Sequence, residues 1–461
     1  QNSRLRTNSD FERLNFFIRS EYKPTQGTSL GLSYNFTTAE KGVPSEEYLY
    51  AKDARFWRYS DVNRNVVTFN AEQYLGQNLI FRTTLWGDFF NQQIDAYDST
   101  YSTIKTKQKD KDFTFGNRFA LEYELFEKNW LTAVFNSYYS LHKEKIDNNS
   151  EDEFSQFTYS AGIEYKSSYK DVNFVAGATY DGCVTPKTGI YKDSEGETFQ
   201  DFGLFVGSRY YLTDEISTFA NISRRTRFPT LREAYSDALG KFVPIPDLGA
   251  ETGLLIDWGI SYTSEIVNLN ITAFGSFYDD LIIRIKVPKD HPLYDPQYPN
   301  MRMRDNLAEA TVYGAELGFN LFPNSNILFY GNATFMKSEG KEQGSKVDHL
   351  EYKPELQASL IAGYKFDFGL TPQIELEHIG KQYALNANSE KFDELENYTL
   401  KFDELENYTL LNFRIGYNFD LYGNNIEVFA RINNITDEYF LTQIGLPGYG
   451  RTFTCGISVR Y

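Results

Sequence analysis

The residues able to do chemistry are spread thinly through this 461-residue sequence. His142, His291, His349 and His378 stand far apart, and Cys183 and Cys455 show no CxxC spacing. Neither a metal knuckle nor a disulfide framework is therefore written into the chain, and no metal is expected. His291 and His349 fall in connecting segments, where they could ligate a metal chelate but are expected to be solvated. The acidic run Lys143–Glu153, with Asp147, Glu151 and Asp152, offers oxygens to Ca²⁺ without EF-hand spacing, and reads as a solvated charge run. Aromatics interleaved with arginines form the other grouping. Pro288–Arg304 carries Tyr294, Tyr298, Arg302 and Arg304, and Tyr48, Tyr50 and Trp57 are similar. Rings and planar guanidinium groups suit a chelate bearing catecholate or carboxylate groups. The competing reading is an aromatic girdle at a membrane interface. No triad, phosphate loop or framed carboxylate pair is present, so catalysis and a cofactor are not expected.

The elements that must carry these residues follow from composition and periodicity. Aromatics reach 17%, with 38 Phe and 35 Tyr against 4 Trp, while charged residues make up 24%. Mean hydropathy is −0.49. No apolar run approaches the roughly 18 residues of a spanning helix. A net charge of −17 argues against nucleic acid as a partner. Alternation of period two is pervasive instead. In the closing stretch, Phe453, Cys455, Ile457, Val459 and Tyr461 alternate with Thr452, Thr454, Gly456, Ser458 and Arg460. Leu254, Ile256, Trp258 and Ile260 oppose Asp257, Gly259 and Ser261; Leu411, Phe413, Ile415 and Tyr417 oppose Asn412, Arg414 and Gly416. Charge opposite an apolar face fits a wet interior better than a packed sandwich.

About nineteen such strands can be read. Short turns join them at one end, such as Pro24–Gly27, Gly76–Gln77 and Thr213–Glu215. Long polar connections join them at the other: Ser102–Asp112, Lys143–Glu153, Arg224–Glu251, Pro288–Asn306 and Thr436–Arg451. No blade repeat of about 40–45 residues supports a propeller. The expected fold is all-β, a transmembrane antiparallel β-barrel over Gln1–Tyr461. Single-chain bacterial barrels close with an even count, so strands are expected to be missing before Phe11. No signal peptide is visible at Gln1. Tyr449–Tyr461 is expected to pair with Ile426–Ile435.

Several short motifs then carry a resemblance. Val428–Tyr439, through Asn434, Asp437 and Tyr439, resembles the "v-x-N-l-x-D-x-x-Y" stretch of TonB-dependent outer-membrane receptors, and Pro447–Arg451 resembles their "P-G-R" before the last strand. Arg227, Phe228 and Pro229, followed by Pro246, Asp247 and Leu248, resemble their "F-R-A-P-T-L-x-E-L … N-P-D-L-x-x-E" loop. Lys41–Pro44 resembles their "G-V-P", and Leu5–Asp10 their "G-Y-R-x-N-S-D". The resemblance implies 22 strands, of which about 19 are present, and a plug domain ahead of Gln1. It implies the bacterial outer membrane, with lipid and lipopolysaccharide around the strands. It also implies import of a scarce small molecule, by default a ferric siderophore, driven by the TonB complex through the plug. Haem is disfavoured, because Ser236–Val243 has no histidine. The alternative is a non-transporting barrel within an outer-membrane complex. KFDELENYTL occurs twice, as Lys391–Leu400 and Lys401–Leu410; the first copy lengthens a connection and the second leads into Leu411.

Overall fold

A strand that meets two different environments must present a different set of side chains to each, and the strands here do so. Leu254, Ile256, Trp258 and Ile260 are all exposed, Trp258 by 53%, while Gly259 between them is buried. Phe202, Leu204 and Val206 repeat the pattern around buried Gly203. Leaving such rows in water would cost roughly 1.5–3 kcal/mol per large side chain. The rows therefore need an apolar phase against them. No helix among the described residues is long and apolar enough to cross a membrane, so strands are the elements that meet it.

The computed structural model describes residues 6–47, 54–189, 196–237, 242–287, 291–296, 301–342, 345–347, 349–385 and 402–460. In chain order the first elements are β1 Phe11–Thr25, β2 Thr28–Val43, β3 Trp57–Tyr74, β4 Leu79–Tyr97, β5 Ile104–Phe126, β6 Asn129–Ile146, β7 Asp152–Tyr169, β8 Val172–Thr188, β9 Thr198–Tyr211 and β10 Ile216–Arg227. The short helix α1 Leu231–Tyr235 and strand β11 Phe242–Val243 follow. Then come β12 Glu251–Thr263, β13 Val267–Lys286, β14 Arg302–Leu321, β15 Ile327–Glu342, β16 Ser345–Val347, β17 Leu356–Tyr364, β18 Leu370–Ile379, β19 Gln382–Leu385, β20 Phe402–Leu405, β21 Tyr408–Leu421, β22 Asn424–Asn433, β23 Leu441–Gln443, β24 Leu446–Pro447 and β25 Thr452–Arg460. Twenty-one of these strands share one sheet; β19–β20 and β23–β24 are separate two-stranded ladders. Two members of the large sheet, β11 and β16, are spurs of two and three residues. The remainder are the nineteen strands expected from alternation.

Two compact units divide the chain. One comprises Gln1–Val206, Ser223–Gly253 and Asp279–Leu307; the other comprises Gly207–Ile222, Leu254–Tyr278 and Ala308–Tyr461. In the first, β1 to β8 form an antiparallel meander with each strand paired to the next. In the second, β14, β15, β17, β18, β21, β22 and β25 pair in that order. The closing strand pairs with β22 as expected, Cys455 opposite Ala430 and Ile457 opposite Val428.

The polar faces hold charge by pairing it. In the first unit Arg64 reaches Asp88 at 2.5 Å, and Arg82 bridges Glu72, at 2.7 Å, and Glu122. In the second, Arg414 reaches Glu427 at 2.6 Å and Arg431 pairs with Glu375. Mid-strand arginines opposite an apolar row are thus satisfied across the ladder.

The long connections are shorter than expected. Ser102–Asp112 is strand from Ile104 onward, and Lys143–Glu153 shrinks because β6 runs to Ile146 and β7 begins at Asp152. These strand ends have polar residues on both faces, so they lack the alternation that marks a lipid-facing row. The ladder persists because its backbone bonds do not depend on side-chain polarity. Charge pairs across it add support: Lys111 to Glu151 at 3.1 Å, and Lys143 and Lys187 to Glu153, each at 2.5 Å. The first KFDELENYTL copy lies outside the described residues. In the second, Phe402–Leu405 pairs with β19 and Tyr408 opens β21.

Ile256→Lys should destabilise folding into lipid vesicles, by up to about 2–4 kcal/mol, the cost of a lysine facing lipid. Asp257→Ala, on the other face, should cost about 1 kcal/mol, because it removes the oxygen that accepts a hydrogen bond from Asn221. Urea titration of tryptophan fluorescence measures both, and equal losses would contradict the assignment of faces.

Candidate functional site

The connection between β10 and β12 turns back onto the polar face of the first unit, and local chemistry explains how. Pro229 lacks an N–H, and Thr230 after it caps α1 with extended backbone, φ −79° and ψ 158°. The Thr-x-x-Glu spacing completes a capping box. Thr230 Oγ1 accepts from the Glu233 N–H at 3.3 Å, and the Thr230 N–H donates to Glu233 Oε2 at 2.9 Å. Leu231, Ala234 and Tyr235 then face inward and pack with Phe154 of β7 in a buried cluster.

An ionic frame holds this segment. Arg227 donates to Glu251 and, at 2.8 Å, to Glu233. Glu251 also accepts from the Ile282 N–H at 2.8 Å. Arg304 donates to the carbonyls of Arg232 and Glu233 at 3.1 and 3.3 Å, and its guanidinium lies 4.5 Å over the Phe242 ring. A cation at these carbonyls complements the negative end of the helix. β11 runs parallel to the start of β14, placing Phe242 opposite Arg302. Asn306 exchanges hydrogen bonds with the backbone of Gly249 at 2.8 and 3.1 Å. Burial pushes the Glu233 carboxyl up, but Arg227 and the Thr230 N–H outweigh it and hold it below the usual carboxylate range.

The residues singled out in the sequence fall on several elements. Tyr48, Tyr50 and Tyr298 lie outside the described residues. Trp57 opens β3, its carbonyl accepting from Asn8 at 2.7 Å and its ring 5.5 Å below the Arg55 guanidinium. Tyr294 closes a turn, its N–H donating to the His291 carbonyl at 2.9 Å. Arg302 and Arg304 lie two residues apart at the start of β14, Arg302 opposite Phe242 in the ladder and Arg304 over its ring. Phe228 stacks on Phe199, and the Pro229 carbonyl accepts from Gln156 at 3.0 Å. Pro246 and Asp247 precede Leu248, which is almost fully buried. In the second unit, Asn434 sits in the left-handed region at φ 51°. Its side chain closes the turn onto the Glu438 carbonyl, and Asp437 accepts from the Arg451 N–H at 2.8 Å. Tyr439 is exposed.

A cluster that the sequence did not reveal lies in the first unit. The β5–β6 register sets Asp110 opposite Glu144 and Asp112 opposite His142. Asp110 is 2% exposed and Glu144 7%. The acidic run was expected to be wholly solvated; Glu144 departs from that, because period two turns it inward beside His142. One ligand atom from each of Asp110, His142 and Glu144 lies within 4.8 Å of the others. Ser236, just beyond α1, donates to Glu144 Oε2 at 3.1 Å.

Residues 2–435 match the sequence family described as TonB dependent receptor-like, beta-barrel. The copper transporter OprC superposes with a TM-score of 0.77 at 14% identity, covering 97% of this chain and 71% of its own. BauA, the ferric preacinetobactin receptor from Acinetobacter baumannii, gives 0.74 at 13%, covering 99% and 73%. The ferric-catecholate import receptor Fiu from K12 E. coli gives 0.71 at 13%, covering 99% and 75%. At such identities the likeness is one of fold. The chain spans about three quarters of those proteins.

Thr230→Ala should loosen α1 by about 1 kcal/mol, the usual worth of a helix cap. Because the Glu233 pKa is lowered, its contribution is complete above the ordinary glutamate value of 4.5 and is lost as pH falls through the lower folded value. Amide exchange at Leu231–Tyr235, corrected for intrinsic rates, should show protection surviving below pH 4.5 and failing in stronger acid. Glu233→Gln should flatten that dependence; an unchanged profile would remove Glu233 from the clasp.

Proposed function

The chain belongs to the TonB-dependent receptor β-barrel family, and from that premise we propose that it is an outer-membrane import receptor for a ferric chelate. Its exposed apolar rows meet lipid, and lipopolysaccharide surrounds the ends carrying the long connections. Those connections capture the ligand. The TonB complex supplies the energy for entry through a plug domain, the segment that in this family occupies the wet interior. The observation that carries the reading is the family match over residues 2–435. BauA and Fiu, which share the fold, are receptors for ferric preacinetobactin and for ferric catecholates. These favour an iron chelate over the copper ion of OprC.

The work is binding and not bond-making. Trp57, Tyr294 and Arg302 are the contacts we assign to the ligand among the described residues, with Tyr48, Tyr50 and Tyr298 on the adjoining connections. Aromatic rings and guanidinium groups give stacking and charge to a flat, anionic chelate. Arg304 is occupied with the α1 carbonyls and serves to position that segment.

In the source bacterium, deleting the gene should abolish uptake of one radiolabelled ferric siderophore and slow growth under iron limitation. Restoring the gene with Trp57→Ala should weaken binding about tenfold, near 1.4 kcal/mol. Unchanged uptake, with expression indifferent to iron, would remove the ferric reading. Loss of a co-purifying outer-membrane complex with uptake intact would instead favour a structural role.

A further inference from the structure

We propose that Asp110, His142 and Glu144 form a binding site for a divalent first-row transition-metal ion, which fastens the segment around α1 to β5 and β6. The site is separate from the residues assigned to the imported ligand. Three features of its geometry point to a cation.

The first is the histidine. Asp112 Oδ1 lies 2.5 Å from His142 Nδ1, placed to accept a hydrogen bond from the Nδ1–H. In the neutral ring this favours the tautomer whose lone pair is on Nε2, the arrangement a carboxylate imposes on a metal-binding imidazole. Nε2 is buried, has no hydrogen-bond partner, and lies 3.7 Å from Glu144 Oε2. A coordinating nitrogen and oxygen about 2.0–2.2 Å from one ion sit about this far apart.

The second is Gln108, only 1% exposed. Its amide N–H groups donate to Asp110 Oδ1 and Glu144 Oε2, both at 2.8 Å. Its carbonyl oxygen is left buried with no donor. Two of the buried polar atoms without partners, His142 Nε2 and Gln108 Oε1, thus belong to side chains beside the same carboxylates.

The third is charge. The hydrogen bonds to Asp110 and Glu144 come from Gln92, Gln108 and Ser236, all neutral. Among the described residues, no lysine or arginine forms an ion pair with either carboxylate. Two carboxylates so deeply buried are costly to strip of water unless a cation answers them. Two carboxylate oxygens and one imidazole nitrogen suit Zn²⁺ or a neighbouring ion, with waters completing the shell. Glu144 accepts from Ser236 while it binds, so the ion and α1 are held by the same carboxylate.

The test uses the full chain in detergent, stripped with a chelator and titrated with Zn²⁺ and with Co²⁺. We expect one Zn²⁺ per chain, and visible d–d bands for Co²⁺. Glu144→Gln and His142→Gln should each weaken Zn²⁺ binding at least tenfold. Asp112→Asn, which frees the tautomer, should weaken it about 10- to 100-fold. Glu151→Gln, on the nearby connection, should leave it unchanged. Heat-modified mobility on gels confirms that each variant is folded. Zn²⁺ binding that persists undiminished in folded His142→Gln overturns the proposal. So does an absence of stoichiometric binding together with a His142 ring that NMR shows protonated at both nitrogens, which would make the imidazolium itself the cation.

Discussion

The constraint on which the rest depends is that a backbone N–H or C=O facing hydrocarbon has no water to bond to. Each such group must find a partner within the protein, and for strands that means a neighbour on each side. The meander from β1 to β8, each strand bonded to the next in register, is what that constraint permits. The tight turns follow from it, because a turn at the lipid boundary must spend few unpaired groups. So does the separation of faces. Once the ladder fixes the backbone, period two sends Ile256 and Trp258 one way and Asp257 the other, and the side chains only have to match what lies on each side.

The polar face faces the opposite problem. It has water and space, but also charge that must not stand alone in a partly enclosed setting. The solution is reciprocal. Arg82 is shared by two glutamates, and Arg227 by Glu233 and Glu251. The second set ties a non-strand segment to the sheet, so electrostatics here positions backbone as well as satisfying side chains. Phe154 and Tyr235 then supply a small apolar contact that water on the polar face would otherwise deny.

What the sequence made legible follows from these two regimes. Strands touching lipid were readable, because Leu254 to Ile260 and Leu411 to Tyr417 alternate between unlike environments. The segments 104–112 and 143–146 were not, since both faces there are wet and hydropathy carries no period. α1 was partly written in Thr230 and Glu233 as a capping box, yet five residues are too few for helical periodicity to register. The cluster of Asp110, His142 and Glu144 was illegible for a different reason. Its members come from different strands, and only the β5–β6 register brings them opposite one another. Of the aromatic and arginine group, Arg302 and Arg304 share a face of β14 by their spacing alone, but the pairing of β11 that brings Phe242 to them is a contact no local pattern announces.

β5 runs for 23 residues, about 75 Å at strand rise, whereas crossing the hydrocarbon takes only about 9–11 residues. Much of it, with β6 beside it, is therefore rigid wall where a polar sequence suggests loop. Loops accept insertions of any length; a paired wall does not. One residue added between Asp110 and Asp112 would turn Asp110 outward and dissolve its opposition to Glu144; two would turn it inward again, but opposite Ile146. In the descendants of this sequence, the paired stretch between Asp110 and the β5–β6 turn should keep its length, while the connections beyond the strand ends drift freely.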